Sequence, residues 1–140
     1  MLCEHLMKQM VECVSPADSV RDAAQRMRGE NIGFLPVCDD ERHVLGTVTD
    51  RDIAMRVVAD DKPTDIPVEQ IMTREVVACR PSDSVTKARR VMGENQKSRL
   101  LCTDEDGHLV GVISLSDLAE IEPAGAVRTL REVALREVRV

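Results

Sequence analysis

Aromatic residues are almost missing from this chain. Phe34 is the single one in 140 residues, and there is no tryptophan or tyrosine, so the stacking platforms used for single-stranded nucleic acid are not there. An excess of positive charge is missing too: 19 Lys and Arg face 25 Asp and Glu, a net charge of -6. Duplex binding takes most of its affinity from cations meeting phosphates, so no nucleic-acid partner is expected. No apolar run reaches the length of a membrane span, and Met1-Leu2-Cys3-Glu4-His5 lacks the basic and apolar regions of a signal peptide. A membrane partner is therefore not expected, and the cytoplasm is the expected location.

The usual catalytic signatures are also scarce. The five cysteines, Cys3, Cys13, Cys38, Cys79 and Cys102, form no Cys-x-x-Cys pair, and their apolar surroundings read as core positions. Only His5, His43 and His108 could serve as imidazole ligands or bases, and there is no Gly-rich Walker loop. Acids cluster at Asp39-Asp40-Glu41 and Asp104-Glu105-Asp106, which reads as solvent-facing turns. Neither an enzyme nor a metal site is expected.

What the chain does contain is a pattern used twice. Gly46-Thr47-Val48-Thr49-Asp50-Arg51-Asp52 returns sixty-five residues later as Gly111-Val112-Ile113-Ser114-Leu115-Ser116-Asp117. The same offset, without a gap, matches Pro16, Asp18, Val20, Met27, Leu35 and His43 to Pro81, Asp83, Val85, Met92, Leu100 and His108. Two equal units that each expose an apolar face are expected to bury those faces together.

Each unit opens with a helical lead-in, Leu2 to Met7 or Val68 to Met72, and a short strand, Val11 to Val14 or Val76 to Cys79. Asp18 and Asp83 stand where an N-cap is wanted, ahead of Val20, Ala23 and Met27 or Val85, Ala88 and Met92 at helical spacing. Gly29 with Asn31, and Gly93 with Asn95, end these helices. Two strands joined by an acidic turn follow in each unit and read as a hairpin. Second helices are expected over Arg51 to Val58 and Ser116 to Ile121. The proline-broken stretch Asp60 to Pro67 reads as a linker, giving repeats over 1–62 and 63–122 and a tail over 123–140. In the tail, Val127, Leu130, Val133, Ala134 and Val138 form a helical stripe that needs a cover, either its own unit or a second subunit.

Apolar residues leading into a hydroxyl and then an acid describe a strand running into a helix start. Ordinary capping accounts for such a pattern. An anion is also favoured there by free amides and the helix dipole, while a carboxylate three residues on suits the hydroxyls of a ribose.

With the unit order in hand, the chain resembles a pair of cystathionine-beta-synthase-type (CBS) domains, a Bateman module, over about residues 1–122. The resemblance rests on Ile71-Met72-Thr73, on Asn31 to Val37, and above all on Gly46 to Ile53. It implies a mixed α/β (α+β) fold of two β-α-β-β-α repeats packed pseudo-twofold through their sheets, here with an added C-terminal helix. It also implies clefts between the repeats, frequent homodimers, and a regulatory sensor of AMP, ADP, ATP, NAD or S-adenosylmethionine, with AMP or ATP foremost and no required cofactor. Carried over by position, Asp52 and Asp117 meet ribose hydroxyls, and Thr49 and Ser114 lie near phosphate. Thr47 with Ile32 and Gly33, and Val112 with Lys97 and Ser98, flank adenine. Arg99 and Arg51 are phosphate candidates, since a guanidinium can donate two parallel hydrogen bonds. Leu101 departs from the family proline, Lys97 from a small apolar residue, and Leu115-Ser116 replaces Asp50-Arg51, so the second site is expected to differ from the first. The alternative is a ligand-free dimeric scaffold that recruits an unknown protein partner.

Overall fold

The structure, a computed structural model, describes the backbone of residues 1–138 and the side chains as far as Leu135. The chain divides into two compact units, Glu12–Val76, and Met1–Val11 with Val77–Val140.

In the unit Glu12–Val76, helix α1 (Val20–Glu30) starts one residue later than the Asp18 cap expected from sequence. Ser19 is the N-cap, its Oγ accepting the Asp22 N–H at 3.0 Å, while Asp18 Oδ2 accepts the Ser15 N–H at 2.9 Å. The aspartate closes the Ser-Pro turn before the helix, which leaves the cap to the hydroxyl. Asn31, at φ 54°, ends α1 in the left-handed conformation that asparagine tolerates. Strands β1 (Phe34–Cys38) and β2 (Val44–Thr49) pair antiparallel. Helix α2 (Asp50–Ile53) continues into a π-helical turn over Ala54–Val58. The core gathers Val20, Ala23, Met27, Leu35, Val37 and Val48 around Val68, Ile71 and Met72.

The other unit repeats this plan. Strand β3 (Ala78–Cys79) pairs parallel to β4 (Arg99–Thr103), which pairs antiparallel to β5 (Leu109–Ser114). Between β3 and β4, α3 (Val85–Asn95) is capped by Ser84, again with the aspartate, Asp83, on the turn amide, and it ends on Gln96 at φ 55°, one residue past the expected Asn95. Only this unit has a third strand. In the first, Val14 alone bridges Val37, because Pro36 occupies the place of Leu101 and has no N–H to donate to a parallel neighbour. The lead-ins are 3-10 turns, Cys3–His5 and Val68–Gln70, shorter than the helices read from sequence.

Helix α4 (Leu115–Ile121) is followed by α5 (Pro123–Val138), which packs on α3 and α4 of its own unit. Its buried face differs from the expected stripe. Ala126, Thr129 and Val133 are buried, whereas Val127 and Leu130 are 52% and 53% exposed and Ala134 is exposed. The side chain of Val138 lies outside the described residues. Small residues set the choice: Gly93 and Gly125 leave room for the Glu132 carboxylate and the Arg89 guanidinium, and Arg89 pairs with Glu122. A close approach on the small-residue face turns the bulkier residues outward.

Candidate functional site: two duplicated strand-to-helix corners

Each hairpin ends in a corner that the sequence encodes locally. Thr49 Oγ1 accepts the Asp52 N–H at 3.1 Å, and Asp52 Oδ2 accepts the Thr49 N–H at 3.0 Å. Ser114 and Asp117 repeat the exchange at 3.1 and 3.0 Å. This is a reciprocal capping box with aspartate in the acidic role, and it satisfies two amides that the helix start leaves open. One oxygen of each carboxylate is thus structural.

The other oxygen faces the lead-in. Asp52 Oδ1 lies 3.4 Å from Thr73 Oγ1 and 3.9 Å from Arg56 Nε, with the side chain 13% exposed. Asp117 Oδ1 lies 3.8 Å from Lys8 Nζ, with 15% exposed. These are long contacts, so each outer oxygen keeps acceptor capacity. The sequence reading missed Thr73, Lys8 and Arg56. Thr73 and Lys8 are themselves one repeat offset apart, so extending the alignment back through the lead-ins is the signal that finds them.

Both lead-ins cross their hairpins in the same way. Thr47 and Thr73 exchange backbone hydrogen bonds at 2.9 and 2.8 Å, as do Val112 and Lys8 at 3.0 and 2.9 Å. Thr47 and Val112 are both half-buried beneath these crossings.

The remaining candidates fall differently in the two units. In the first, the Asp50 N–H donates to the Gly33 carbonyl at 3.0 Å, and the Asp50 carboxylate lies over Gly33, where a Cβ would stand 2.5 Å from Oδ2. Ile32 packs on the core and Arg51 is exposed. In the second, Leu115 donates to the Ser98 carbonyl at 2.9 Å, and the place of the acid is apolar. Ser98, Arg99 and Ser114 then line a cavity of about 440 Å³, together with Leu115, Ser116 and Ala119 and the α5 residues Pro123, Ala126, Val127 and Leu130. Lys97, Val112 and Asp117 are not in its lining. The structure therefore brings together three of the six second-repeat candidates and separates them from the other three.

Among the described residues, one group has ligand atoms close enough for a metal ion: Asp104, Asp106 and His108, within 4.8 Å. Turn geometry explains it. Asp104 Oδ1 accepts the amides of Asp106 and His108, and Asp39 does the same for Glu41 and His43 in the other hairpin. The amide of His108 holds the Asp104 carboxyl below the usual range, against its desolvation. Four of the cysteines are buried, Cys79 Sγ lying 3.2 Å from Cys102 Sγ and 3.8 Å from Cys3 Sγ. No helix among the described residues is long and apolar enough to cross a membrane.

The model of the CBS domain matches residues 3–59 and again residues 68–123. The chain belongs to the CBS domain family. It is 39% identical over 114 residues to the CBS domain-containing protein YhcV of Bacillus subtilis (strain 168), covering 81% of this chain and 79% of that one. Its fold is similar to Hypoxic Response Protein I, solved with two coordinated zinc ions, at a TM-score of 0.78 and 28% identity, over 86% of this chain and 98% of that one. It is also similar to CBSX2 in complex with AMP, at a TM-score of 0.74 and 24% identity, over 85% of this chain and 93% of that one. Both CBS repeats carry the reciprocal corner.

Proposed function

We propose that this CBS pair is a regulatory sensor, not a catalyst, and that it binds an adenosine-containing ligand, AMP or ATP foremost, at the corner of the unit Glu12–Val76. One observation carries the reading: Asp52 spends a single oxygen on its capping box, and the other is held only by long contacts to Thr73 and Arg56. A ribose diol supplies two short hydrogen bonds to such an oxygen, which is a gain over the contacts it replaces. Arg51, exposed on the first turn of α2, is the group for phosphate. Thr47, Ile32 and Gly33 offer backbone groups and aliphatic surface to the base. AMP in CBSX2 suggests the first probe, although at that identity the likeness carries the fold alone.

The second corner is a poorer match to the same ligand. Lys8 lies beside Asp117, and Ser98, Arg99 and Ser114 face a cavity that Asp117 does not line.

The test is thermal unfolding with AMP, ADP, ATP, NAD and S-adenosylmethionine at millimolar concentration. A ligand at a hundredfold over its Kd stabilises the folded chain by about 2.7 kcal/mol. Asp52→Asn keeps an acceptor oxygen for the Thr49 N–H but turns the outer oxygen into a donor, so the fold is expected to persist and the shift to vanish. If none of the five compounds moves the transition, or if Asp52→Asn leaves the shift intact, the reading fails.

A further inference from the structure

The cavity of the second unit differs chemically from everything in the first. Its polar end consists of Ser98, Arg99, Ser114 and Ser116, with one cation and no carboxylate, while its remaining walls, Leu115, Ala119, Pro123, Ala126, Val127 and Leu130, are aliphatic. One repeat offset earlier, Gly33 and Phe34 stand in place of Ser98 and Arg99, and the acid Asp50 stands in place of Leu115. No counterpart of α5 exists there. The anion-favouring end and the apolar wall are thus both particular to this unit.

From this we infer that the cavity bounded by α4 and α5 is a second binding site, for a small carboxylate with an unbranched aliphatic body, its head at Arg99 and the serine hydroxyls and its chain along Ala119, Ala126, Val127 and Leu130. A volume of about 440 Å³ lies within the roughly 300–1,000 Å³ of ligand pockets. Charge complementarity chooses the head, because a guanidinium pairs with a carboxylate through two parallel hydrogen bonds and no acid in the lining competes. The walls choose the body. They offer no aromatic ring to stack a base, and Asp117, the acid that would meet a ribose, is outside the lining. The half-exposed Val127 and Leu130 leave the mouth open to solvent. The site is independent of the nucleotide reading, since it shares no residue with the corner at Asp52.

Isothermal titration of the full chain with hexanoate and octanoate, and with acetate and octan-1-ol as partial ligands, tests this. Affinity is expected to rise roughly tenfold for every two methylenes added, and octan-1-ol, without the charge, is expected to bind roughly tenfold or more weakly than octanoate. Arg99→Gln is expected to remove the preference for octanoate over octan-1-ol. Ala119→Leu, which fills the cavity from an exposed helix position, is expected to abolish binding, with circular dichroism confirming that both variants are folded. The proposal is overturned if octanoate does not bind, if acetate or octan-1-ol binds as well as octanoate, or if both variants bind it unchanged. It is overturned equally if AMP displaces octanoate, for the cavity then belongs to the nucleotide.

Discussion

The carbonyl of Thr73 passes over Gly46 so closely that a Cβ on the glycine would stand 2.5 Å from its oxygen, with the Met72 sulfur 3.2 Å away. At the equivalent place, a Cβ on Gly111 would meet the Met7 side chain at 2.6 Å. The glycine that opens each motif is there so that a lead-in can cross the hairpin.

Gly46→Ala therefore has to move backbone that is itself hydrogen-bonded to Thr47. A cost of about 1–3 kcal/mol is expected from this overpacking, read as a lower urea midpoint at unchanged slope. Gly29→Ala is the contrast. Nothing lies within 4 Å of its added methyl inside α1, so it should stabilise the chain by up to about 1 kcal/mol.

Removing either hydroxyl cap should cost similar amounts, because the corners have the same bonds. Thr49→Ala and Ser114→Ala are each expected to lower stability by about 1 kcal/mol. A double-mutant cycle between Thr49→Ala and Asp52→Ala should show coupling of about 0.5 kcal/mol or more, since each residue holds the other's amide. Additive effects in denaturant unfolding would mean that the box acts as two separate bonds.

The thiols make the protein sensitive to alkali. Burial, aided by Cys79, pushes the Cys3 thiol up to about 12; the hydrogen bond to Cys102 and burial push Cys79 up, and burial beside Cys13 pushes Cys38 up. Unfolded thiols ionise near pH 9 while these stay protonated, so the folded state binds more protons above that pH and stability falls as pH rises. Urea midpoints should decline from pH 8 to 10.5, and Cys3→Ala should flatten the decline. Ellman's reagent at pH 8 should find these three thiols slow in the folded chain and fast in urea.

Helix α5 is expected to depend on its small-residue face. Val133→Ala removes buried methyls and should cost about 2 kcal/mol. Val127→Ser, on the exposed side, should stay within about 0.5 kcal/mol. Equal losses at the two positions would restore the stripe read from sequence.

Much of the molecule was legible because it rests on short-range rules. The two hairpins, the main helices and the hydroxyl caps before Asp52 and Asp117 follow from β-forming runs, acidic turns and capping chemistry within a few residues. Where the reading slipped, another local interaction won: Asp18 and Asp83 bond turn amides and leave the cap to Ser19 and Ser84. The face of α5 slipped for a different reason. Hydrophobicity alone favours Val127 and Leu130, whereas the space beside Gly93 and Gly125 admits the side of Ala126 and Val133.

By itself, the sequence determined that there are two equal repeats and that each ends a hairpin in a hydroxyl and an acid, because an ungapped offset and capping patterns are properties of neighbouring residues. Only the tertiary structure decided that Met1–Val11 completes the unit of Val77–Val140 while Val68 to Thr73 completes the other. Both lead-ins carry a methionine and a following polar residue that fit the hairpin glycine, so nothing local distinguishes the two pairings. The same distant packing sets Lys8 beside one aspartate and Thr73 beside the other, and closes a cavity with a helix that belongs to neither repeat.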